Sequence, residues 1–238
     1  MGKTAKLLAH GITTVRDAGG ITVGLKQAID EGLVDGPRIY PSNAYISQTC
    51  GHGDNDERKR NRDIQYRIPS SGVLADGVPE VLRAVREQFY RGASQIKIMA
   101  GGGMSSEHDP GANDVKAKTA YATELINKYD LKILFGTDMM VTYPDYEPRQ
   151  GLDFKEYKKR FGSYKGIVSA TGNVNDLIKL TTYQNPYPEG EIGVLKKGSF
   201  ADILVIQGNP VEDLELLYDV NNIQLIMKDG KVYKNTLS

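Results

Sequence analysis

Residues 76–103, DGVPEVLRAVREQFYRGASQIKIMAGGG, contain a helical pattern followed by a strand pattern. Apolar residues recur every three or four positions in the first part, which predicts a helix that begins at Asp76 and ends near Gly92. The run 95–99 that follows predicts a strand, which leads into the glycines at 101–103. A helix that returns the chain to a strand is typical of parallel α/β folds, so this stretch predicts the fold class.

The same alternation extends on both sides of this stretch. Short β-branched or apolar runs predict further strands, and amphipathic runs predict further helices. The predicted strands are residues 12–15, 38–40 and 132–135, and the predicted helices are residues 25–32 and 115–129. Residue types that can carry chemistry follow several strand ends, which favours a parallel α/β barrel or an open sheet.

The C-terminal part has a different pattern. Two apolar runs, residues 201–206 and 223–227, predict strands, and Asp229-Gly230 predicts a two-residue hairpin turn into a third strand. We therefore predict two domains, which are a partial barrel over residues 1–190 and a β-rich segment over residues 191–238.

The composition argues against several classes of function. The 238 residues contain 30 Lys and Arg against 30 Asp and Glu, and this zero net charge argues against binding to nucleic-acid phosphates or anionic membranes. The single cysteine cannot form an internal disulfide, and the longest apolar run, residues 203–206, is too short to cross a bilayer. We expect a cytoplasmic protein that has neither a nucleic-acid partner nor a membrane partner.

Three side chains could carry chemistry. Lys97 lies in the middle of a predicted strand, where an ammonium group is costly unless it is paired, modified or near solvent. Asp138 follows the strand at 132–135, and His52 lies between two glycines in a loop. Each has an ordinary alternative, which is a salt-bridged lysine, a helix-capping aspartate or a solvated histidine. The residues alone leave both interpretations open.

Several motifs together carry a family resemblance. They are residues 11–17 (GITTVRD), 36–42 (GPRIYPS), 48–54 (QTCGHGD), 96–102 (IKIMAGG) and 135–138 (FGTD), followed by residues 192–202 and 227–231. In number and order these motifs resemble the amidohydrolase superfamily, in the branch of imidazolonepropionase-like and Xaa-Pro dipeptidase-like enzymes. The resemblance covers most of the chain.

The resemblance implies a fold and a metal site. The family fold is a (β/α)₈ barrel that binds divalent metals, commonly zinc, with a small β-sandwich built from both chain ends. Lys97 resembles the lysine that CO₂ converts to a carbamate, which bridges two metal ions. Asp138 resembles the catalytic aspartate of the last barrel strand, which binds metal and takes the proton of the attacking water. His52 lies in a loop that matches a family signature, and we expect it to contact substrate.

The sequence also departs from the family pattern. It has no His-x-His pair, which the family carries on its first barrel strand, and it has only three histidines. The family places two further metal histidines between the lysine strand and the aspartate strand, where this chain has only residues 100–131. We therefore expect an incomplete TIM-type barrel with a remnant of the β-sandwich. It would lack the N-terminal strands and an internal block near residues 109–115.

Three functions are compatible with these observations. The first is a metal-dependent hydrolase of carbon–nitrogen bonds in small-molecule amides or peptides. The second is a non-catalytic remnant or pseudoenzyme of the same family, and the third is a chain whose site a partner chain completes. A partial barrel leaves helix faces uncovered, such as Val81, Val85 and Phe89, so we also expect self-association.

Overall fold

The computed structural model describes residues 2–20, 23–49, 51–54, 72–101, 112–137 and 151–237. The chain divides into two compact units. The large unit comprises residues 1–15, 31–38 and 121–238, and the small unit comprises residues 16–30 and 39–120. The predicted domain boundary between residues 190 and 191 stays a prediction.

Helices and short strands alternate along the described chain. The α-helices are α1 (Lys3–Ala9), α2 (Val23–Asp30), α3 (Gly77–Tyr90), α4 (Ala112–Lys128), α5 (Leu152–Phe161), α6 (Ser163–Ala170) and α7 (Gly172–Lys179). The strands are β1 (Thr14–Arg16), β2 (Arg38–Tyr40), β3 (Tyr45–Ser47), β4 (Gly72–Leu74), β5 (Ile203–Ile206), β6 (Ile223–Lys228) and β7 (Lys231–Asn235). Short 3₁₀ helices comprise Thr182–Gln184, Leu214–Leu217 and Val220–Asn222. The strands pair in the orders β1-β2, β3-β4 and β5-β6-β7.

The small unit is built on β3, whose three residues are all buried. Strand β4 pairs with β3 in parallel. On the other edge of β3, Ile98 forms a parallel bridge with Ile46. The bridge consists of two backbone hydrogen bonds of 2.8 Å, in which Ile46 N donates to Lys97 O and Met99 N donates to Ile46 O. Three chain segments therefore run side by side in the same direction.

The strand predicted over residues 95–99 is only partly confirmed. Within these residues the structure forms a single bridge, between Ile98 and Ile46 of β3. The residue types favour a strand, yet a strand also needs backbone partners along its length. Other contacts hold Ser94 and Gln95. Gln95 Nε2 donates to Asp17 O at 2.8 Å, and the backbone N–H and the hydroxyl of Ser94 both donate to Pro41 O, at 2.8 Å and 3.2 Å.

Helix α3 covers one face of this small sheet. It forms within the bounds that the sequence predicts, and Ala84 packs with Ile46 and Ala75 in a buried cluster. Val81 and Val85 pack against the same cluster. The expectation that these two valines lie uncovered is therefore wrong.

The exposed apolar side chains of α3 lie elsewhere on the helix. Val78 is 71% exposed, Leu82 is 47% exposed and Tyr90 is 92% exposed. The helical period distributes its apolar residues over an arc wider than the sheet can cover. The sequence pattern identified the helix, but it did not identify which part of the apolar arc meets the sheet.

The large unit contains an antiparallel sheet near the C-terminus. Strand β6 pairs with β5 on one side and β7 on the other. Asp229 and Gly230 have positive φ angles of 54° and 76°, as in the two-residue turns that suit hairpins, so the predicted hairpin is confirmed. Helix α1 packs on this sheet, because Leu8 lies in a buried cluster with Ile223 and Ile226.

The buried guanidinium group of Arg38, the first residue of β2, connects that strand to the C-terminal sheet region. Arg38 is 3% exposed, and its Nη1 atom lies 2.5 Å from Oδ2 of Asp202. Its Nη2 atom lies 3.3 Å from the carboxylate of Asp229. The guanidinium carbon also lies 3.9 Å from the centre of the Phe200 ring. These contacts join parts of the chain that are far apart in sequence.

The described strands account for only part of the predicted architecture. They do not close into a barrel, since the three sheets contain two, two and three strands. A β-sandwich remnant at the C-terminus stays a prediction, because the described C-terminal strands belong to a single sheet. Within the described ranges, no helix has the length and apolar character to span a membrane.

Candidate functional site

The small unit presents Lys97 on the sheet face opposite helix α3. Side chains alternate between the two faces of a sheet, and register partners in parallel strands share a face. Ile46 and Ile96 lie on the α3 side, where both belong to the cluster beneath that helix. Tyr45, Ser47 and Lys97 therefore project to the opposite face. The Lys97 side chain is half-buried there.

The ring of Tyr45 is packed tightly on this same face. A Cβ atom built on Gly53 would lie 2.6 Å from the Cε2 atom of Tyr45, and one built on Gly19 would lie 2.8 Å from its Cδ1 atom. Gly72, the register partner of Tyr45, also lies against the ring. Three glycines thus make room for one aromatic ring beside Lys97.

The loop that carries His52 follows the carboxyl end of β3. Gly53 N donates to the Ser47 hydroxyl at 3.1 Å, which folds the loop back over the last residue of the strand. Backbone bonds from Gly51 N to Gln48 O (3.1 Å) and from Asp54 N to Gly51 O (3.0 Å) close two successive turns. His52 lies within the second of these turns and is half-buried. The predicted loop around His52 is therefore a compact, internally bonded structure.

A second connection joins this loop to the start of helix α3. The carboxylate of Asp76 accepts hydrogen bonds from the Thr49 backbone N–H at 3.1 Å and the Thr49 hydroxyl at 2.9 Å. The backbone N–H of Asp76 donates to the Glu80 carboxylate at 2.8 Å. Asp76 lies at the N-cap position of α3. The loop is thus bonded both to its own strand and to the next helix.

Parallel strands bring these features to one edge of the sheet. The loop at 48–54 follows β3, Asp76 follows β4, and residues 99–101 follow the bridge at Ile98. Functional groups of parallel α/β folds collect at this carboxyl edge. The structure therefore brings the His52 loop to the edge at which the Lys97 segment ends.

Asp138 lies outside the described residues, as do Cys50 and His108. The segment before Asp138 belongs to the large unit, and the strand predicted over residues 132–135 is not formed in the structure. Its backbone bonds to helices instead of strands. Phe135 N donates to Ser169 O at 2.9 Å, Tyr157 Oη donates to Leu134 O at 2.8 Å, and Asn173 Nδ2 donates to Ile133 O at 2.9 Å.

Aromatic packing reinforces these hydrogen bonds. The Phe135 ring stacks on Phe154 with the ring centres 4.3 Å apart, and it contacts Tyr157 at 4.8 Å. Partial burial raises the pKa of the Tyr157 phenol above its ordinary value. Burial likewise raises the pKa of the nearby Asp153 carboxyl. The predicted strand was wrong because the backbone groups of residues 133–135 hydrogen-bond to helices α5 to α7, through two side-chain donors and one backbone carbonyl.

Metal ligation is not evident in the described part of the chain. Among those residues, no three His, Cys, Asp or Glu side chains form a group that could hold a metal ion. The predicted convergence of Lys97 and Asp138 stays a prediction.

Several residues of this edge were not singled out from the sequence. Tyr45 lies in a three-residue strand that is too short for a periodicity argument. Asp76 was predicted only as the beginning of a helix, and its bonds to Thr49 follow from tertiary structure. The approximate capping pattern of Asp76 and Glu80 was the available sequence signal.

Comparisons with known proteins identify a family domain in part of the chain. The sequence profile of the amidohydrolase family matches residues 2–114. The chain contains an amidohydrolase-family domain. Ochratoxinase from Aspergillus niger is 41% identical over 112 residues, which are 43% of this chain and 23% of ochratoxinase. The chain thus matches less than a quarter of the length of this curated relative.

Solved structures match this chain over nearly all of its length. The crystal structure of an amidohydrolase has a TM-score of 0.82 at 26% identity, and the match covers 99% of this chain and 78% of that one. The crystal structure of a prolidase complexed with N-methylphosphonate-L-proline has a TM-score of 0.79 at 25% identity, with 98% and 78% covered. The chain has the α/β fold of these amidohydrolases and is partial relative to them.

The family match also bears on the expected cofactor. Amidohydrolases generally use divalent metals, so the expectation of metal dependence is consistent with the family.

Proposed function

We propose that this amidohydrolase-family chain is a hydrolase of amide-type carbon–nitrogen bonds in small molecules or peptides. The family match and the relatives named prolidase and ochratoxinase support this reaction class.

The observation that carries the proposal is the position of Lys97. Its main chain is fixed by the two-bond bridge to Ile46, and its side chain projects from the face opposite helix α3. No ion pair within the described residues involves its ammonium group. A lysine in a strand that packs against a buried cluster is costly unless its ammonium is paired, modified or near solvent, whereas a carbamate formed there would be an anionic oxygen ligand. This cost supports a modified lysine at position 97.

Lys97 and Asp138 would hold the metal, which we take to be zinc. A bound divalent metal supplies polarisation of the scissile carbonyl and a lowered pKa for the attacking water. Asp138 would accept the proton of that water, and His52 would hydrogen-bond the substrate from the loop at the same edge as the Lys97 segment. Further ligands would have to come from outside the described residues or from a partner chain.

Metal content and hydrolysis test the proposal together. We expect protein prepared with zinc and bicarbonate to retain about two metal ions per chain, and to hydrolyse some members of a panel of Xaa-Pro dipeptides and N-acyl amino acids. Lys97→Ala and Asp138→Ala should each abolish both properties. Lys197→Ala, which removes an exposed lysine of the large unit, serves as the matched control and should change neither property.

The other functions correspond to distinct outcomes of this experiment. Less than about a tenth of an equivalent of metal, together with no hydrolysis, would favour a non-catalytic chain of the same family. Metal and activity that appear only after mixing with a second chain would favour a site completed by a partner. Unchanged metal content in both variants would refute the assignment of Lys97 and Asp138.

A further inference from the structure

We propose that Asp76 is a positioning residue, which clamps the loop 48–54 and thereby fixes the place of the His52 side chain. The inference rests on the proposed function for the role of His52 in substrate binding, but the clamp itself is defined by the structure. His52 would contact substrate, whereas Asp76 would act only through the loop.

The geometry gives this loop two attachments, one on each side of His52. Before His52, the Asp76 carboxylate accepts both hydrogen bonds that Thr49 can offer it, from the backbone N–H and from the hydroxyl. After His52, Gly53 N donates to Ser47 Oγ. A side chain held between two fixed points loses little further conformational freedom when it meets a ligand.

Two features make the Asp76 attachment rigid. The carboxylate uses one oxygen for each Thr49 donor, so that both the position and the direction of the Thr49 main chain are fixed. The Glu80 carboxylate in turn accepts from the Asp76 main chain, and this bond fixes Asp76 to the first turn of α3. The loop is thereby connected to the helix that packs on the buried Ile46 cluster.

The Gly53 attachment leaves little room for an alternative loop position. A Cβ atom at Gly53 would lie 2.7 Å from Cβ of Ser47, and one at Gly51 would lie 2.8 Å from Cγ of Gln48. Neither glycine could therefore carry a side chain in this loop position. We expect that release of Thr49 would let the loop move away from β3, towards solvent.

Chemical modification of histidine measures the clamp without any assumption about activity. We would follow carbethoxylation of the intact chain by diethyl pyrocarbonate and quantify each histidine peptide by mass spectrometry. His10, whose Nδ1 atom bonds to Lys6 O at 2.9 Å in the large unit, provides an internal reference. Asp76→Ala and Thr49→Val should each raise the rate at His52 about three- to tenfold, and the rate at His10 should not change.

Two controls separate the clamp from a general loss of structure. Glu87→Gln removes a carboxylate from the same helix, where it pairs with Arg91 and not with the loop, and it should leave the His52 rate unchanged. Thr49→Val leaves α3 and its first turn intact, so it tests the clamp even where Asp76→Ala weakens the helix. Thr49→Val keeps the backbone hydrogen bond to Asp76, so the outcome that would overturn the proposal is an unchanged His52 rate in both Thr49→Val and Asp76→Ala, each with the circular dichroism spectrum of the parent protein.

The catalytic consequence is a separate measurement. If the chain hydrolyses amides with His52 on the substrate, Thr49→Val should raise KM several-fold and change kcat less, as His52→Gln should do to a greater extent. An increased modification rate without any hydrolytic activity in the parent protein would uphold the clamp and refute the proposed function. If His52→Gln raises KM but neither Thr49→Val nor Asp76→Ala changes the modification rate at His52, the proposed function would be upheld and the clamp would be refuted.

Discussion

Gly72 lies against the ring of Tyr45, its register partner in the parallel pair of β4 and β3. A methyl group at position 72 would overlap the Cε2 carbon of the ring, and the ring is confined on other sides by Gly19 and Gly53. The two residues therefore fit only as a small and large pair. Because Lys97 shares this face of the sheet, the fit also defines the surroundings of the proposed site.

Gly72→Ala should lower the free energy of unfolding by about 1–3 kcal/mol, since the buried ring has no free space into which it can move. Urea denaturation measures the change. Gly101→Ala is the matched control in the same unit, because a Cβ atom there would meet no atom within 4 Å. In a Tyr45→Val background the cost of the alanine at position 72 should shrink, and an undiminished cost would contradict the predicted overlap.

Arg38→Met should destabilise the large unit by about 3–5 kcal/mol, because it leaves the buried Asp202 carboxylate without its cation. The pair is 3% and 8% exposed. Replacing both partners, as Arg38→Met with Asp202→Leu, should recover part of the loss. Lys132→Met breaks an exposed ion pair with Asp176 and should have little effect. Equal losses from the buried and the exposed pair would argue against this assignment.

Glu191 should make the stability of the large unit depend on acid. Its hydrogen bonds with Lys196, Asn175 and Lys179 lower the pKa of its carboxyl from 4.5 to about 2. Since the folded chain binds this proton less readily than the unfolded chain, the stabilisation is present above pH 4.5 and is lost as the pH falls towards about 2. In Glu191→Gln the denaturation midpoint should therefore change less with pH between pH 5 and about 3 than it does in the parent protein. Glu189→Gln, at an exposed neighbour, should keep the pH dependence of the parent protein.

Tyr157→Phe should lower the free energy of unfolding by about 0.5–1.5 kcal/mol, because the Leu134 carbonyl loses its hydrogen-bond donor. Burial raises the pKa of the phenol in the folded chain, so the parent protein should also lose stability as the pH rises above about 10, and the variant should lose less. Tyr164→Phe, at a side chain that is 69% exposed, is the matched control. If the free energy of unfolding falls equally with pH above about 10 in the parent protein and in Tyr157→Phe, the assignment of a buried phenol would be contradicted.

Self-association should be visible by light scattering. Leu180, Tyr183 and Leu195 of the large unit are 76%, 89% and 82% exposed, and such side chains favour association when they are numerous. We expect a mass above that of one chain at micromolar concentration. Replacing all three by serine should shift the mass towards the monomer. A monodisperse monomer of the parent protein would refute the expectation.

The elements that the sequence predicts well are those with long or local signals. Helix α3 has four turns of amphipathic pattern, and the hairpin at Asp229-Gly230 needs only two residues with positive φ. Both depend on interactions within a few positions of the chain. Periodicity and turn chemistry were therefore sufficient to place them.

The errors arose where tertiary partners decide the structure. Residues 132–135 have the composition of a buried strand, yet side chains and backbone of three helices satisfy their hydrogen bonds. Similarly, the sequence indicated His52 and Lys97 through a family resemblance, but the Thr49–Asp76 contact spans 27 positions and has no local pattern. Non-local partners of this kind cannot be derived from the spacing of residues along one chain.

The dependence of residues 133–135 on helices has a consequence for the drift of this sequence over evolution. Tyr157 and Asn173 each supply a side-chain donor, and the Ser169 carbonyl supplies the acceptor, so three separate helices constrain the same short segment. Exposed positions of those helices are free to vary, whereas the two donor side chains are not interchangeable with apolar residues. If the segment that leads to Asp138 is under selection, Tyr157 and Asn173 should therefore vary less than the exposed positions of the same helices.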